Sequence, residues 1–209
     1  MSAALKSLVA VAEPAKLAPR IDLRTGLVAA GVLRSAYTLT TLTRELRTAR
    51  NAWRAAGFTA PLSVELPSAL MEGLDPEHLC DAAREAGCSP KGLSFELDER
   101  VLVRDGAQLA EALRARGWGV SLVADPACPL PFGKHARALY TELVLDPPTP
   151  ADPYIGVDPR EDDPLGRRLY AAKEAGLVIT ARRVETHGAA ALLFVAGFDR
   201  AGGPVAAQP

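Results

Sequence analysis

The chain has 209 residues, with 24 basic side chains against 25 acidic ones and a formal net charge of −1. Hydrophobic residues make up 48% and charged residues 23%, which fits a folded domain with a buried core and excludes bulk disorder. The even charge balance excludes a broad nucleic-acid footprint or a basic membrane-binding face, and no apolar run approaches the roughly 20 residues of a membrane span.

Residues 1–16 read as an N-terminal helix or arm ahead of a single domain over 17–209. The apolar stretch after Lys6 is too short for a signal peptide, so the expectation is a cytoplasmic protein. Between Thr41 and Ala56, Leu42, Leu46, Ala49 and Trp53 recur at helical spacing, and Arg44, Arg47, Arg50 and Arg54 fall mostly on other faces as a solvated surface. A strand is predicted over Leu62 to Leu66. Asp75-Pro76-Glu77 then offers an N-cap, a proline at the first helical position and an early acid. His78, Cys80 and Cys88 follow; their spacing lacks the paired ligands of a structural zinc site, so they read as an exposed histidine and buried thiols. With Cys128 the cysteines are odd in number, which points to a reducing compartment rather than a disulfide framework.

Further strands are predicted over Leu93 to Leu97, Val120 to Val123, Glu142 to Leu145 and Leu177 to Thr180. Asp105 is expected to cap a helix carrying Leu109 and Leu113, a helix is placed around Lys134 to Tyr140, Asp163-Pro164 opens another, and Thr186 caps one carrying Leu192 and Leu193. Gly57, Gly87, Gly117, Gly176 and Gly197 each follow a helical pattern and precede an extended one, as C-terminal stops. Two segments break the alternation: Asp125 to Phe132, with Pro126, Pro129 and Pro131, and the proline-rich acidic stretch Asp146 to Pro164, read as an ordered loop or a lid. Alternating strand and helix means βα units and a largely parallel sheet. Periodicity leaves an open doubly wound sheet and a closed barrel equally available. Glycine-rich nucleotide motifs and a Gly-x-Ser-x-Gly elbow are missing from the sequence.

Several segments together resemble one family. Pro19 to Gly26 (PRIDLRTG), Leu62 to Met71 (LSVELPSALM), Leu93 to Val101 (LSFELDERV), Leu143 to Asp146 and Val178 to Glu185 (VITARRVE) are similar, in order and spacing, to the motifs of EAL domains, bacterial phosphodiesterases acting on cyclic di-GMP. The resemblance implies an α/β fold: a TIM-like (β/α) barrel of the EAL type with an antiparallel strand near its start. It also accounts for a chain shorter than the about 250 residues of a typical eight-unit barrel. Between the second and third strands, Arg34 to Pro61 leaves room for one main helix where the family carries a longer helical section.

The family's chemistry needs divalent metals held by converging oxygen ligands. The resemblance places the signature glutamate near Ala30 or Gly31 and the motif asparagine at Glu65. It keeps Glu96, Glu99, Asp146 and Glu185, retains one acid of an aspartate pair near Ala124 and Asp125, puts Val144 where the family has lysine, and puts Arg182 where it has a catalytic-site glutamate. A guanidinium there repels a cation and stays protonated. The expected ligand-facing set is therefore Arg34, Glu65, Glu96, Asp125, Asp146, Arg182 and Glu185, with Arg34 suited to a phosphate. Glu96 and Asp146 are expected to pair with Arg182 or a neighbouring arginine. No catalytic residue, metal or cofactor is assigned. The leading expectation is an inactive EAL-like domain acting through an unidentified protein partner; the alternatives are a cyclic di-GMP receptor that does not hydrolyse its ligand, and a metal-dependent phosphodiesterase rebuilt around Glu65 and Glu96.

Overall fold

The computed structural model describes residues 17–34, 38–71, 73–105, 107–124, 136–146 and 164–207. Among them, eight strands close into a barrel in sequence order. These are β1 (Leu17–Asp22), β2 (Val28–Leu33), β3 (Leu62–Glu65), β4 (Leu93–Asp98), β5 (Gly119–Val123), β6 (Glu142–Leu145), β7 (Val178–Ala181) and β8 (Arg200–Gly202). β1 runs antiparallel to both β2 and β8, and every other neighbouring pair is parallel. Closure decides between the two architectures that periodicity left open. The antiparallel start agrees with the expectation from the resemblance.

The predicted parallel strands lie within a residue or two of the observed ones. They read as short apolar runs because both faces are covered: Val64, Phe95, Leu97, Val120, Leu122, Leu143 and Ile179 are all fully buried. β1, β2 and β8 carry polar or small residues and did not stand out as apolar runs.

Outside the barrel, α1 (Leu39–Ala55) fills the β2–β3 connection alone and buries Leu42, Leu46, Ala49, Ala52 and Trp53. α2 (Ser68–Met71) is short; α3 (Pro76–Glu85) starts at Asp75, whose side chain accepts from the Glu77 amide at 2.9 Å. α4 (Glu99–Asp105) and α5 (Gln108–Ala115) follow β4. Asp105 does not cap α5. It closes α4, and Ala107 holds the cap position without a side-chain bond, because the acid falls at the end of a helix that the sequence pattern did not reveal. α6 (Ala136–Leu139), α7 (Pro164–Glu174) and α8 (His187–Val195) complete the ring; Thr186 caps α8 by accepting from the Ala189 amide at 3.1 Å. The expected stops Gly57, Gly87, Gly117, Gly176 and Gly197 all have φ between +71° and +92°, a region that costs glycine little.

α1 presses directly onto β2. Trp53 stacks on Phe58 at 4.4 Å, and its ring nitrogen donates to the Ala60 carbonyl at 2.7 Å. A Cβ at Gly31 would stand 2.9 Å from the Trp53 ring, so the single helix reaches this close only because β2 has no side chain there. Cys80 is buried and Cys88 half-buried, both as free thiols, and His78 is exposed. Residues 1–16, Asp125 to Phe132, Lys134, Cys128, Asp163 and nearly all of the 146–164 segment fall outside the described residues. No helix of the described residues is long and apolar enough to cross a membrane.

Candidate functional site

The parallel strands all end at one rim of the barrel, and the side chains just past those ends enclose a cavity of about 680 Å³. Arg34 follows β2, Glu65 ends β3, Asp98 ends β4, Ala124 follows β5, Asp146 follows β6, and Arg182 and Arg183 follow β7. All line the cavity, together with Glu96 and Arg100. Five of the residues expected from sequence thus meet in one place: Arg34, Glu65, Glu96, Asp146 and Arg182. Glu185 does not join them; it is exposed on the loop beyond β7 and outside the cavity lining, because the chain turns away after Arg183. Asp125 lies outside the described residues.

The acids of this mouth are held by guanidinium groups. Arg182 clamps Asp146 in a two-pronged contact, Nε to Oδ1 and Nη2 to Oδ2, each at 3.2 Å. Its third nitrogen, Nη1, donates to Glu65 at 3.3 Å, so one cation bridges the ends of β3, β6 and β7. Arg34 approaches the other Glu65 oxygen at 3.4 Å. Arg183, with φ of +56°, sits in the left-handed region that non-glycine residues seldom occupy. That turn brings its Nε to 3.6 Å from Asp146. Strain of this kind concentrates at sites where side-chain direction matters.

Glu96 forms the floor. It is fully buried, and its partner is Arg20 from β1, a residue absent from the candidate set. Arg20 Nη2 lies 2.9 Å from one Glu96 oxygen and 3.0 Å from the other, with 1% of the Arg20 side chain exposed. The expected pairing holds for Asp146 with Arg182, while Glu96 is met from below. Arg20 also reaches Glu142 at 3.5 Å, and Glu142 accepts from Ser121 at 2.8 Å and from Thr180. Burial opposes charge on both partners. Glu96 and then Glu142 hold the Arg20 guanidinium above its ordinary value even so, and Arg20 holds the Glu96 carboxyl below the usual carboxylate range. Burial likewise works against Asp98, yet hydrogen bonds from Arg100 and Ser68 keep its carboxyl low. Glu99 is buried and paired with Arg168 of α7.

A divalent cation wants several free oxygens converging on one point. Among the described residues, no three His, Cys, Asp or Glu side chains do so. Two acids of the mouth are already engaged: Asp146 by Arg182, and Glu65 by Arg182 and Arg34. Ala30 and Gly31, where the signature acid is expected, offer no ligand. The residues present do not fit the metal centre that the resemblance implies.

Sequence reasoning missed Arg20, Arg100, Arg168 and Arg183. Arg183 adjoins Arg182 and was within reach. Arg20 gave one faint signal, a charged residue in the middle of the β1 strand motif.

No protein-family model matches the chain, and no curated protein matches it. Solved structures do. The chain is similar to the phosphodiesterase PaMucR, solved as a c-di-GMP complex: TM-score 0.69, 16% identity, covering 92% of this chain and 94% of that one. It is similar to the EAL domain of DcpA from Mycobacterium smegmatis, with TM-score 0.66 and 24% identity over 92% of this chain and 91% of that one. It is also similar to BlrP1 from Klebsiella pneumoniae, solved with calcium and cyclic di-GMP: TM-score 0.66 and 15% identity over 90% of this chain and 53% of that one. At such identities the likeness is one of fold: the chain has the barrel of EAL domains.

Proposed function

We propose that this chain is a catalytically silent EAL-like domain of cyclic di-GMP-related signalling that acts by contact with another protein. The observation that carries the reading is the Arg182 clamp. A permanent cation occupies the space between Glu65 and Asp146, with its charge neutralised by both acids. Arg20 does the same for Glu96 from inside the barrel. Fold alone does not dictate activity, so the argument rests on these side chains. A phosphodiester hydrolase of this type needs a metal-activated water beside the phosphate. Here the acids serve arginines, and the fixed positive charge supplies no ionisable water.

A second reading has its own support. Arg34, Arg100, Arg182 and Arg183 line the mouth, and guanidinium groups suit bidentate phosphate contact. A receptor that binds cyclic di-GMP without cleaving it fits that lining. Both readings are tested by incubating the protein with cyclic di-GMP and magnesium or manganese, following linear product by chromatography, alongside calorimetric titration. The silent reading expects neither product nor binding. Affinity tighter than about 10 μM, roughly 7 kcal/mol, without product would replace it with the receptor. Turnover that disappears in Glu96→Ala would replace it with a rebuilt metal-dependent phosphodiesterase.

A further inference from the structure

A second cavity, of about 520 Å³, lies at the barrel end opposite the Arg182 mouth. It sits between the turn that joins α1 to β3 and the turn that joins α3 to β4. Both strands begin here, at Leu62 and Leu93, and both end at the mouth. Its lining includes the cations Arg50 and Arg54 from α1 and Lys91 from the facing turn, and no acid lines it. The imbalance is local, because the whole chain has a net charge of −1.

Several surface arginines have acids at hand: Arg44 pairs with Glu45, Arg84 with Asp81, Arg100 with Asp98 and Arg116 with Glu77. Among the described residues, Arg50, Arg54 and Lys91 form no ion pair, and the head groups of Arg54 and Lys91 hold no hydrogen bond. Arg50 crosses from α1 to donate to the Gly87 carbonyl, and its Nε is buried without a partner. A Cβ at Gly87 would overlap that guanidinium, so the crossing depends on the glycine. The C-terminal ends of α1 and α3 would ordinarily repel an anion through their last carbonyls. Here the Trp53 carbonyl accepts from the Phe58 amide, that of Arg54 from Gly57, that of Ala83 from Cys88 and that of Arg84 from Gly87. The Ala60 carbonyl takes the Trp53 ring nitrogen. One wall is apolar, where half-buried Phe58 stacks on Trp53. Cys88, half-buried, also lines the cavity, and Arg50 and Arg54 pull its thiol down against the larger effect of burial.

We propose that this cavity binds a phosphomonoester with an apolar or aromatic body. Such a group carries close to two negative charges at neutral pH, which an unpaired set of three cations neutralises. Arg50 and Arg54 stand four residues apart on one helix, so both guanidinium groups reach the same side. Guanidinium forks suit the bidentate geometry of phosphate oxygens, and Lys91 adds a point charge from the opposite turn. The Phe58 wall takes the body of the ligand, and the volume is that of a small-molecule site. The cavity is remote from the mouth, and the assignment stands whichever reading of the mouth holds.

Phenyl phosphate titrated into the full chain tests this, read by calorimetry and by the fluorescence of Trp53. The expected result is a Kd on the order of 1 mM or tighter, with no binding of benzyl alcohol, which keeps the ring and lacks the charge. Arg54→Gln and Lys91→Gln should each weaken binding about 10-fold. Circular dichroism and Tm should stay unchanged in both, because both head groups are exposed. A second measurement locates the ligand: in a Cys128→Ser background, phenyl phosphate at about ten times its Kd should slow labelling of Cys88 by a neutral disulfide reagent about 10-fold. No binding up to about 10 mM overturns the proposal. So does binding that neither substitution weakens, or that leaves Cys88 labelling unchanged. Inorganic phosphate binding as tightly as phenyl phosphate overturns it as well, since the apolar wall would then contribute nothing.

Discussion

The internal pair Arg20–Glu96 offers the sharpest test of the charge argument, through Arg20→Met. Methionine fills much of the arginine volume and removes the charge. Glu96 then remains fully buried, and Glu142 nearly so, with Arg200 at 3.7 Å as the remaining cation beside Glu142. Removing one partner of a buried ion pair costs about 3–5 kcal/mol, because the other charge stays uncompensated. For a domain of this size each kcal/mol moves Tm by about 2–4 °C, so a fall of about 6–20 °C is expected. The pH dependence should change as well. In the native protein the Glu96 carboxyl titrates below its unfolded value, so its contribution is present above that value and lost as pH falls through the folded one. Without Arg20, burial dominates and raises the carboxyl above its unfolded value; the variant then loses stability as pH rises through the acidic range. Adding Glu96→Gln should recover much of the loss and flatten that slope. Differential scanning calorimetry from about pH 4 to 8 reads all of this. A Tm within about 2 °C of the native value for Arg20→Met, or no rescue by Glu96→Gln, would refute the reasoning.

Other outcomes follow from the same geometry. Arg182→Gln alone leaves Arg34 on Glu65 and Arg183 beside Asp146, so manganese should still fail to bind, whereas Arg34→Gln, Arg182→Gln and Arg183→Gln together should let manganese bind at about millimolar affinity by calorimetry, as for a site with few carboxylates. Gly31→Ala would place a methyl group 2.9 Å from the Trp53 ring and should destabilise the protein by about 1–3 kcal/mol through overpacking, seen in urea denaturation. Burial pushes the Cys80 and Cys88 thiols above their ordinary value. In a Cys128→Ser background, a disulfide reagent at neutral pH should label Cys88 slowly and Cys80 only on unfolding, with Cys88 accelerating only at a higher pH than an exposed thiol does.

Strand–helix alternation, the glycine stops and the caps at Asp75 and Thr186 were legible because each depends on neighbours in the chain. A left-handed glycine or a helix N-cap is a local choice, and the parallel strands announce themselves because, with both faces covered, most of their residues are apolar. The α4 helix and β8 were not legible: one lacks a clear pattern, and the other is three residues with a charge at its start. Of the candidate site, Arg34, Glu65, Glu96, Asp146 and Arg182 were readable from their places in an ordered series of motifs.

Sequence alone therefore determined the repeating βα units and the family likeness, and with it the expectation that Arg182 stands where relatives carry an acid. Closure of the barrel was decided only in three dimensions, by β1 pairing antiparallel with both β2 and β8. So was the assignment of counter-ions. Arg20 and Glu96 are 76 residues apart in the chain, and Arg182 and Glu65 are 117 apart. Charge pairing inside a barrel depends on which strand ends meet, and no local pattern records that.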